Sequence, residues 1–316
     1  MEILITTPSF GQQSAEPWQA LKDQGFTVRR PVRPHPLSGS ELAEEIGDAA
    51  AVIVGLDAVD ASVFAAAPNL RVVAKHGVGV DNIDCTAAGA AGVRVVNAPG
   101  SNSGAVADLT FGLMLALARK IIPAHQSTQA GGWDRFTGVE LTGRTLGLIG
   151  FGRIGQAVAR RALAFDMKVL AYDPYVPADL FLSLGVVQSG LGDCIATADF
   201  LSLHMPGTTG DPPLLDSAAL ATMKKGSFLI NAARGGLVDK AALAARLHAG
   251  ELAGAALDAF SGEPLRQHSA IRTAPNVILT PHIGAFTDQA NATMGVMVVS
   301  DITRVLHNEE PLYPVA

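Results

Sequence analysis

Two groups of residues in this chain of 316 residues have the types and spacing to do chemistry. The first is the run Gly150–Gly155, with Gly150, Gly152 and Gly155 in the pattern G-x-G-x-x-G, followed by Asp173. These glycines allow a tight turn and a close approach of the backbone to a pyrophosphate. A carboxylate at the end of the next strand accepts hydrogen bonds from an adenosine ribose and repels a 2′-phosphate. The pattern predicts a dinucleotide site and favours NAD over NADP.

The second group is Arg234, Glu263 and His282, each of which stands at or just after the end of a predicted strand. An arginine can hold a carboxylate with two hydrogen bonds, and a histidine can give or take a proton near neutral pH. A carboxylate beside that histidine would fix its tautomer and stabilise its protonated form. Each residue also has a plainer interpretation, as a surface arginine, a turn glutamate before proline and a structural histidine. The residues alone leave these alternatives open.

The elements around the glycine run form a βαβ unit. The apolar run 146–149 predicts a buried strand, a segment of helical period follows the glycines, and a second strand ends at Asp173. Further strands are predicted over 186–188, 199–205, 226–234, 252–260 and 276–281, with helices over 191–197, 216–224 and 239–249. This alternation, from about residue 141 to 284, predicts a doubly wound parallel sheet.

The first hundred residues alternate in the same way. Strands are predicted over 3–7, 51–55, 70–75 and 93–97, and helices over 18–24, 41–46, 61–66 and 83–91. A long helix through Leu117, apolar on several sides, should follow Pro99-Gly100 and be buried. The last predicted helix, 288–307, has no strand after it and could return to the first domain. We therefore predict an α/β chain of two Rossmann-like doubly wound parallel-sheet domains with a cleft between them. These are a discontinuous substrate-binding domain, 1–98 plus 286–316, and an NAD-binding domain, 99–285.

Composition narrows the function classes. With 48% hydrophobic and 16% charged residues the chain can build sizeable cores, and its net charge of −6 gives no general attraction to nucleic acid or to anionic membranes. The basic run 29–33 contains proline and is predicted to be a solvated loop. Cys85 and Cys194 lack the spacing of a zinc site, so no metal is predicted and both are interpreted as buried reduced thiols. With no leader pattern and no apolar run long enough to span a bilayer, we expect a soluble, cytoplasmic protein.

Several motifs in order resemble the D-isomer-specific 2-hydroxyacid dehydrogenases, and most closely their phosphoglycerate dehydrogenase-like branch. The resemblance covers almost the whole chain and is carried by KHGVGVDN (75–82), NAPGSNSGAVAD (97–108), GLIGFGRIG (147–155), AYDP (171–174), LHMP (203–206), INAARGGLVD (230–239), LDAFSGEP (257–264) and TPHIGA (280–285). It implies an NAD-dependent oxidoreductase acting on the CH–OH group of a D-2-hydroxy acid, and a homodimer built around the segment after Pro99.

The resemblance also implies residue roles. Arg234 would bind the substrate carboxylate and carbonyl, His282 would be the general acid and base, and Glu263 would support its protonated form. Substrate-contacting residues would be Lys75, Val78, Gly79, Arg234 and His282. Cofactor-contacting residues would be Gly150, Gly152, Arg153, Ile154, Gly155, Asp173, Met205, Ala232, Ala233, Arg234, Asp258, His282, Gly284 and Ala285.

Two positions depart from the family pattern. Gly55 stands where phosphoglycerate dehydrogenases commonly have an arginine that helps to hold the substrate phosphate, and the run 208–213 departs from the usual sequence in what we expect to be a surface loop. The substrate is therefore either 3-phosphoglycerate or a small unphosphorylated acid of the glyoxylate or hydroxypyruvate type. An alternative of another class is an NADH-sensing corepressor-like protein without catalytic activity.

Overall fold

The computed structural model describes residues 1–207 and 210–316, so that Thr208 and Thr209 of the expected surface loop lie outside the described residues. The chain divides into two compact units. Unit 1 comprises Met1–Asn102 and Ala285–Ala316, and unit 2 comprises Ser103–Gly284.

Unit 1 is built on a parallel sheet of five strands in the order β2-β1-β3-β4-β5. Its strands are β1 (Glu2–Ile5), β2 (Thr27–Arg29), β3 (Ala51–Val54), β4 (Val72–Lys75) and β5 (Arg94–Val96), and its helices are α1 (Glu16–Asp23), α2 (Gly39–Glu45), α3 (Ala61–Ala66), α4 (Cys85–Ala90) and α12 (Asp288–Leu306). The strands β3 and β4 are buried along their whole length, as strands covered by helices on both faces must be.

The second strand, β2, was not predicted. The basic run 29–33 was predicted to be a solvated loop, and this prediction is wrong for its first residue, Arg29. Arg29 ends β2 and is partly buried, with its Nε 2.9 Å from the Glu2 carboxylate and an Nη atom donating to the Ile46 carbonyl oxygen at 3.0 Å. The strand has three residues, of which only Val28 is apolar. So short a strand at a sheet edge carries almost no hydrophobic pattern.

Unit 2 is built on a parallel sheet of seven strands in the order β12-β11-β10-β9-β6-β7-β8. Its strands are β6 (Thr145–Ile149), β7 (Lys168–Tyr172), β8 (Val187–Gln188), β9 (Phe200–Leu203), β10 (Phe228–Asn231), β11 (Gly254–Leu257) and β12 (Val277–Leu279). The order reverses between β6 and β9, and ligands bind outside the carboxyl ends of strands at such a switch point.

Within the described part of this unit, seven α-helices accompany the sheet: α5 (Ser103–Ala118), α6 (Ile121–Gln129), α7 (Arg153–Ala164), α8 (Ala178–Ser183), α9 (Leu191–Thr197), α10 (Ser217–Thr222) and α11 (Lys240–His248). The long apolar helix α5 is buried as predicted, and it packs against α7 and the strands β10 and β11. The helices α6 and α8 were not predicted. Two parallel α/β sheets confirm the predicted fold class, and no helix in the described ranges is both long and apolar enough to cross a membrane.

Candidate active site

The turn after β6 has the shape that the glycine pattern predicts. Gly150 has φ +96°, where other residues are strained, and a Cβ there would collide with the carbonyl oxygen of His204, which follows β9. A Cβ at Gly155 would collide with the carbonyl oxygen of Gly150. The turn therefore packs tightly against the neighbouring strand and against the first turn of α7.

The outer side of the same turn is open. Gly152 is exposed and caps α7 without a side chain, and a Cβ there would meet nothing within 4 Å. Arg153, also exposed, begins α7, and Ile154 packs onto the core. The N-terminus of α7 directs unpaired backbone N–H groups to this side, an arrangement that suits an anion. The residues present fit a pyrophosphate group.

Asp173 lies directly after β7, beside the turn. Its Oδ2 accepts a hydrogen bond from the backbone N–H of Phe151 at 2.8 Å, and its Oδ1 accepts one from Tyr175 N–H at 2.9 Å. The two bonds fix the orientation of the carboxylate. Since each carboxylate oxygen has a second lone pair, the group can still accept hydrogen bonds from ribose hydroxyls.

The loop after β10 carries Ala232, Ala233 and Arg234, and Asn231 shapes it. The buried Asn231 side chain accepts a hydrogen bond from Ala233 N–H at 3.1 Å and donates to the Arg234 carbonyl oxygen at 2.9 Å. Gly207, two residues after Met205, lies so close that a Cβ there would be 3.0 Å from the Cβ of Arg234. The partly buried Arg234 is therefore held at the carboxyl edge of the sheet.

His282 and Glu263 are in direct contact. The Nδ1 of His282 lies 3.0 Å and 2.9 Å from the two carboxylate oxygens of Glu263, and Phe260 N–H donates to Glu263 at 2.9 Å. Burial would raise the pKa of Glu263. The hydrogen bonds from His282 and Phe260 and the positive charge of Arg234 outweigh it, so the pKa lies below its usual value. The three residues that the sequence singled out are thus close enough to interact, on loops after three neighbouring strands.

Asp258 anchors the loop that carries His282. It is 1% exposed, and its carboxylate accepts hydrogen bonds from the Thr280 hydroxyl at 2.6 Å, Ile283 N–H at 2.9 Å and Gly284 N–H at 2.8 Å. His282 has φ +55°, an uncommon conformation for a residue with a side chain. The carboxylate of Asp258 therefore holds a strained loop on both sides of His282, and Ala285 follows that loop directly.

The substrate-contacting candidates of unit 1 lie at the carboxyl end of β4. Lys75 ends the strand and is 7% exposed, and its Nζ donates to the Gly55 carbonyl oxygen and, at 2.7 Å, to Asn82 Oδ1. Val78 and Gly79 lie in the loop that follows, where the Val78 carbonyl oxygen accepts a hydrogen bond from the Asn97 side chain at 2.6 Å. The side chain of Asn97, at the end of β5, thus helps to fix the conformation of this loop.

Two contributors were missed from the sequence, Asn231 and Thr280. Each positions the residues next to it, and the signal was a polar residue at or just after the end of a predicted strand. Within residues 1–207 and 210–316 no cluster of three or more His, Cys, Asp or Glu side chains could hold a metal ion.

The glycine turn, the fixed carboxylate beside it and the parallel sheet that carries both place unit 2 among the dinucleotide-binding α/β domains. The sequence profile of the family described as "D-isomer specific 2-hydroxyacid dehydrogenase, NAD binding domain" matches residues 111–284. The chain belongs to the D-isomer specific 2-hydroxyacid dehydrogenase family, and unit 2 contains the NAD-binding domain, which confirms the resemblance and the NAD prediction.

Known relatives agree with this membership. The chain is 44% identical over 277 residues to a D-3-phosphoglycerate dehydrogenase of Methanocaldococcus jannaschii, covering 86% of this chain and 53% of that protein. It thus spans about half the length of the curated relatives it matches. Over the full length of both chains, the TT0316 protein of Thermus thermophilus superposes with a TM-score of 0.90 at 36% identity. A glyoxylate reductase of Paecilomyes thermophila superposes with a TM-score of 0.87 at 26% identity, covering 100% of this chain and 98% of that one.

Proposed function

We propose that the protein is an NAD-dependent D-2-hydroxyacid dehydrogenase, an oxidoreductase that interconverts a D-2-hydroxy acid and the matching 2-oxo acid. The observation that carries the proposal is the contact of His282 Nδ1 with both carboxylate oxygens of Glu263, on the sheet that also bears the dinucleotide turn. NAD(H), when bound, supplies the hydride acceptor or donor. The protein must then move one proton to or from the substrate oxygen and hold the substrate still.

His282 is proposed to move that proton. Its Nδ1–H is bonded to Glu263, so Nε2 is the atom left to exchange a proton with the oxygen on substrate C2. During reduction of a 2-oxo acid, His282 gives its proton to that oxygen as C2 receives the hydride, and in the reverse direction it takes the proton back. The negative charge of Glu263 stabilises the protonated imidazole. The hydrogen bonds that Ile283 N–H and Gly284 N–H donate to Asp258 keep the loop of His282 in place.

Arg234 is proposed to bind the substrate carboxylate and carbonyl oxygen, because its guanidinium offers several N–H donors in one plane. In unit 1, the backbone N–H groups of Val78 and Gly79 and the positive charge of Lys75 are proposed to contact the substrate. Unit 2 is proposed to bind the cofactor through the turn 150–155, Asp173 and the loops after β9, β10, β11 and β12.

The substrate panel that tests this proposal contains both acids left open by the sequence. Oxidation of NADH is measured by absorbance with glyoxylate, hydroxypyruvate, pyruvate and 3-phosphooxypyruvate, and reduction of NAD with 3-phosphoglycerate and D-glycerate. We expect turnover with at least one 2-oxo acid. Tight NADH binding without turnover on any of them would instead support the NADH-sensing alternative.

His282→Ala supplies the mechanistic control. Loss of a general acid typically slows a reaction about 10²- to 10⁴-fold, so kcat should fall in that range while the Kd for NADH stays within about twofold. His268→Ala, an exposed histidine of the same unit, should leave both constants unchanged. An unchanged kcat in His282→Ala would remove the proposed role of His282.

Two further properties are proposed. A homodimer is proposed because the segment after α5 exposes several large apolar side chains, Ile121, Ile122, Trp133 and Phe136. Light scattering after size exclusion tests the dimer. A reducing, cytoplasmic setting is proposed because both cysteines are free thiols. Cys194 is buried as predicted, whereas the prediction is wrong for Cys85, which is only partly buried. Fractionation of the native host tests that location.

A further inference from the structure

The two loops of unit 2 that carry His282 and Glu263 are held in different ways. The loop of His282 is anchored by the buried carboxylate of Asp258, as described above. In the loop of Glu263, positions 261 to 268 contain no buried residue, and Leu265 alone among them is partly buried. A loop with so few buried apolar contacts gains little from packing, so its position depends on its hydrogen bonds.

The start of this loop packs closely on the loop of Arg234. A Cβ at Gly235 would lie 1.9 Å from the carbonyl carbon of Phe260 and 2.1 Å from the backbone nitrogen of Ser261, so the two backbones touch where Gly235 has no side chain. Glu263 then folds back on this start, since Phe260 N–H donates to its carboxylate at 2.9 Å. The exposed part of the loop therefore begins from a fixed point.

Lys240 ties the same end of the loop to a helix. It is the first residue of α11 and is partly buried, and its Nζ donates to the carbonyl oxygen of Ser261 at 3.0 Å. Burial and the positive charge of Arg266 lower the pKa of Lys240, and the negative charge of Glu263 opposes this shift. The Lys240 ammonium group thus lies close enough to both loop side chains to interact with them.

Arg272 ties the other end of the loop. It lies in a short 3-10 helix, Ala270–Thr273, and its Nε donates to the carbonyl oxygen of Arg266 at 3.0 Å. One of its Nη atoms donates to the carbonyl oxygen of Leu265 at 2.7 Å. Each tie is a hydrogen bond from a charged donor, and such bonds are stronger than those between neutral groups.

Glu263 stands midway between the two ties, two residues from the nearest tied carbonyl group on either side. We propose that Lys240 and Arg272 are positioning residues that hold Glu263 against His282, and that through this contact they support the protonated imidazole without taking part in the proton transfer. The inference rests on the proposed dehydrogenase function and adds two residues on which its general acid depends.

The direction of a pH shift separates this role from a direct effect of charge. If the loop loosens, Glu263 stabilises the protonated imidazole less, and the decline of kcat/KM with rising pH begins at lower pH. If Lys240 or Arg272 acted only through its positive charge, its removal would favour the protonated imidazole and move the decline to higher pH. The other charged and titratable groups on the elements around the pair stay in place in both cases: Arg234, Asp258, Arg266 and His268.

The experiment measures kcat/KM against pH for Lys240→Met and Arg272→Met, with NADH and the 2-oxo acid of the panel above that has the highest kcat/KM. In each variant the decline should begin at lower pH than in the wild type. We expect kcat at neutral pH to fall about three- to tenfold, as is typical of residues that act through one shared contact. The Kd for NADH should not change, which also shows that the variants fold.

Matched variants control for the removal of a cation. Lys240→Arg keeps a charged donor and should keep the wild-type profile. Lys225→Met and Arg160→Met remove exposed cations elsewhere in unit 2 and should change neither kcat nor the profile. An unshifted profile in Lys240→Met or Arg272→Met, or one shifted to higher pH, would overturn the proposed role of that residue.

Glu263→Gln supplies a second test, because it has no carboxylate whose position could matter. Adding Lys240→Met to this variant should cause no further shift of the profile to lower pH. A further shift as large as in the single variant would mean that Lys240 does not act through Glu263, and would contradict the proposal. Failure of the proposed function is distinct from these outcomes, since the wild type would then oxidise no NADH with any 2-oxo acid.

Discussion

His282 Nδ1 lies within 3.0 Å of both carboxylate oxygens of Glu263, although the two residues are on different loops. The loop of Glu263 follows β11 and the loop of His282 follows β12, so the parallel pairing of these two strands brings the side chains together. A carboxylate in this position does two things. It fixes the ring so that Nε2 faces away from Glu263, and it favours the protonated form from which a proton can be given to a substrate oxygen.

Glu263→Gln should therefore change the pH dependence as well as the rate. Glutamine can keep one hydrogen bond to Nδ1 but removes the negative charge that stabilises the protonated imidazole. For reduction of a 2-oxo acid we expect kcat at neutral pH to fall about 10- to 100-fold, within the range for general acid catalysis. The decline of kcat/KM with rising pH should begin at lower pH than in the wild type.

The control for this variant is Glu140→Gln, which removes an exposed carboxylate of the same unit. Its pH profile should coincide with that of the wild type. A lowered rate in Glu263→Gln with an unshifted profile would mean that Glu263 only orients the loop.

Asp173 should decide the choice between NAD and NADP. Its carboxylate is fixed by the N–H groups of Phe151 and Tyr175, so its negative charge cannot rotate away from the 2′-phosphate of NADP. Asp173→Asn keeps an acceptor for one of these bonds and removes the charge. We expect kcat/KM with NADH to fall about tenfold. The ratio of kcat/KM for NADH over NADPH should fall by more, because the repulsion of the 2′-phosphate is lost together with the attraction of the ribose hydroxyls.

Steady-state kinetics with both cofactors, and the Kd of each from nicotinamide fluorescence, measure this effect. Asp179→Asn, at an exposed position in the first turn of α8, is the matched control and should leave the preference unaltered. An unaltered preference in Asp173→Asn would show that another residue excludes the 2′-phosphate.

The sequence predicted the elements with strong hydrophobic runs and missed those without. The strand β3 consists of buried aliphatic residues and β6 contains three of them, and both were placed within one residue of their observed ends. The strand β2 has one apolar residue and was not predicted. Arg234, Glu263 and His282 could be found because each stands at or just after the end of a predicted strand. In a parallel sheet the loops that bind ligands follow the carboxyl ends of the strands, so their positions can be predicted once the strands are predicted.

The supporting contacts could not be predicted in the same way. Asp258 binds Thr280 and the N–H groups of Ile283 and Gly284, which are 22 to 26 residues away, and these pairs exist only once β11 and β12 are in register. The pair of Thr7 and Gly55 likewise depends on the pairing of β1 with β3. A sequence shows which residue types are present, and only the register shows which of them meet.

The glycine turn offers a test that separates cofactor binding from folding. Gly152→Ala adds a Cβ that meets no protein atom within 4 Å on the side where a pyrophosphate would lie. The variant should fold normally and bind NADH at least tenfold more weakly. Gly150→Ala puts a Cβ into the His204 carbonyl oxygen at a φ of +96°, which costs about 1 to 2 kcal/mol for the conformation alone.

The unfolding midpoint in urea and the Kd for NADH, measured on both variants, distinguish these effects. Gly150→Ala should lose stability, and Gly152→Ala should keep it while losing affinity. Gly236→Ala, another exposed position with open space around it, is the control for the mere addition of a methyl group. Normal NADH affinity in Gly152→Ala would mean that the pyrophosphate does not lie against this turn.

Asp57 should make unit 1 sensitive to acid. Its pKa is about 2 in the folded protein against an ordinary 3.8, since hydrogen bonds to the carboxylate outweigh the effect of burial. A group whose pKa is lowered by folding stabilises the folded state above its unfolded pKa, and that stabilisation is lost as the pH falls through the folded value. The difference corresponds to about 2 kcal/mol, present at pH 5 and above and largely lost by about pH 2.

The free energy of unfolding in urea, measured from pH 6 to pH 2, tests this linkage by comparison with Asp57→Asn. Other carboxyl groups also titrate in this range, so the quantity that counts is the difference between the two proteins. The variant should be less stable at pH 6, because an amide cannot accept all the hydrogen bonds that the carboxylate accepts, and the two stabilities should converge by about 2 kcal/mol towards pH 2. Parallel curves would mean that Asp57 has an ordinary pKa in the folded protein.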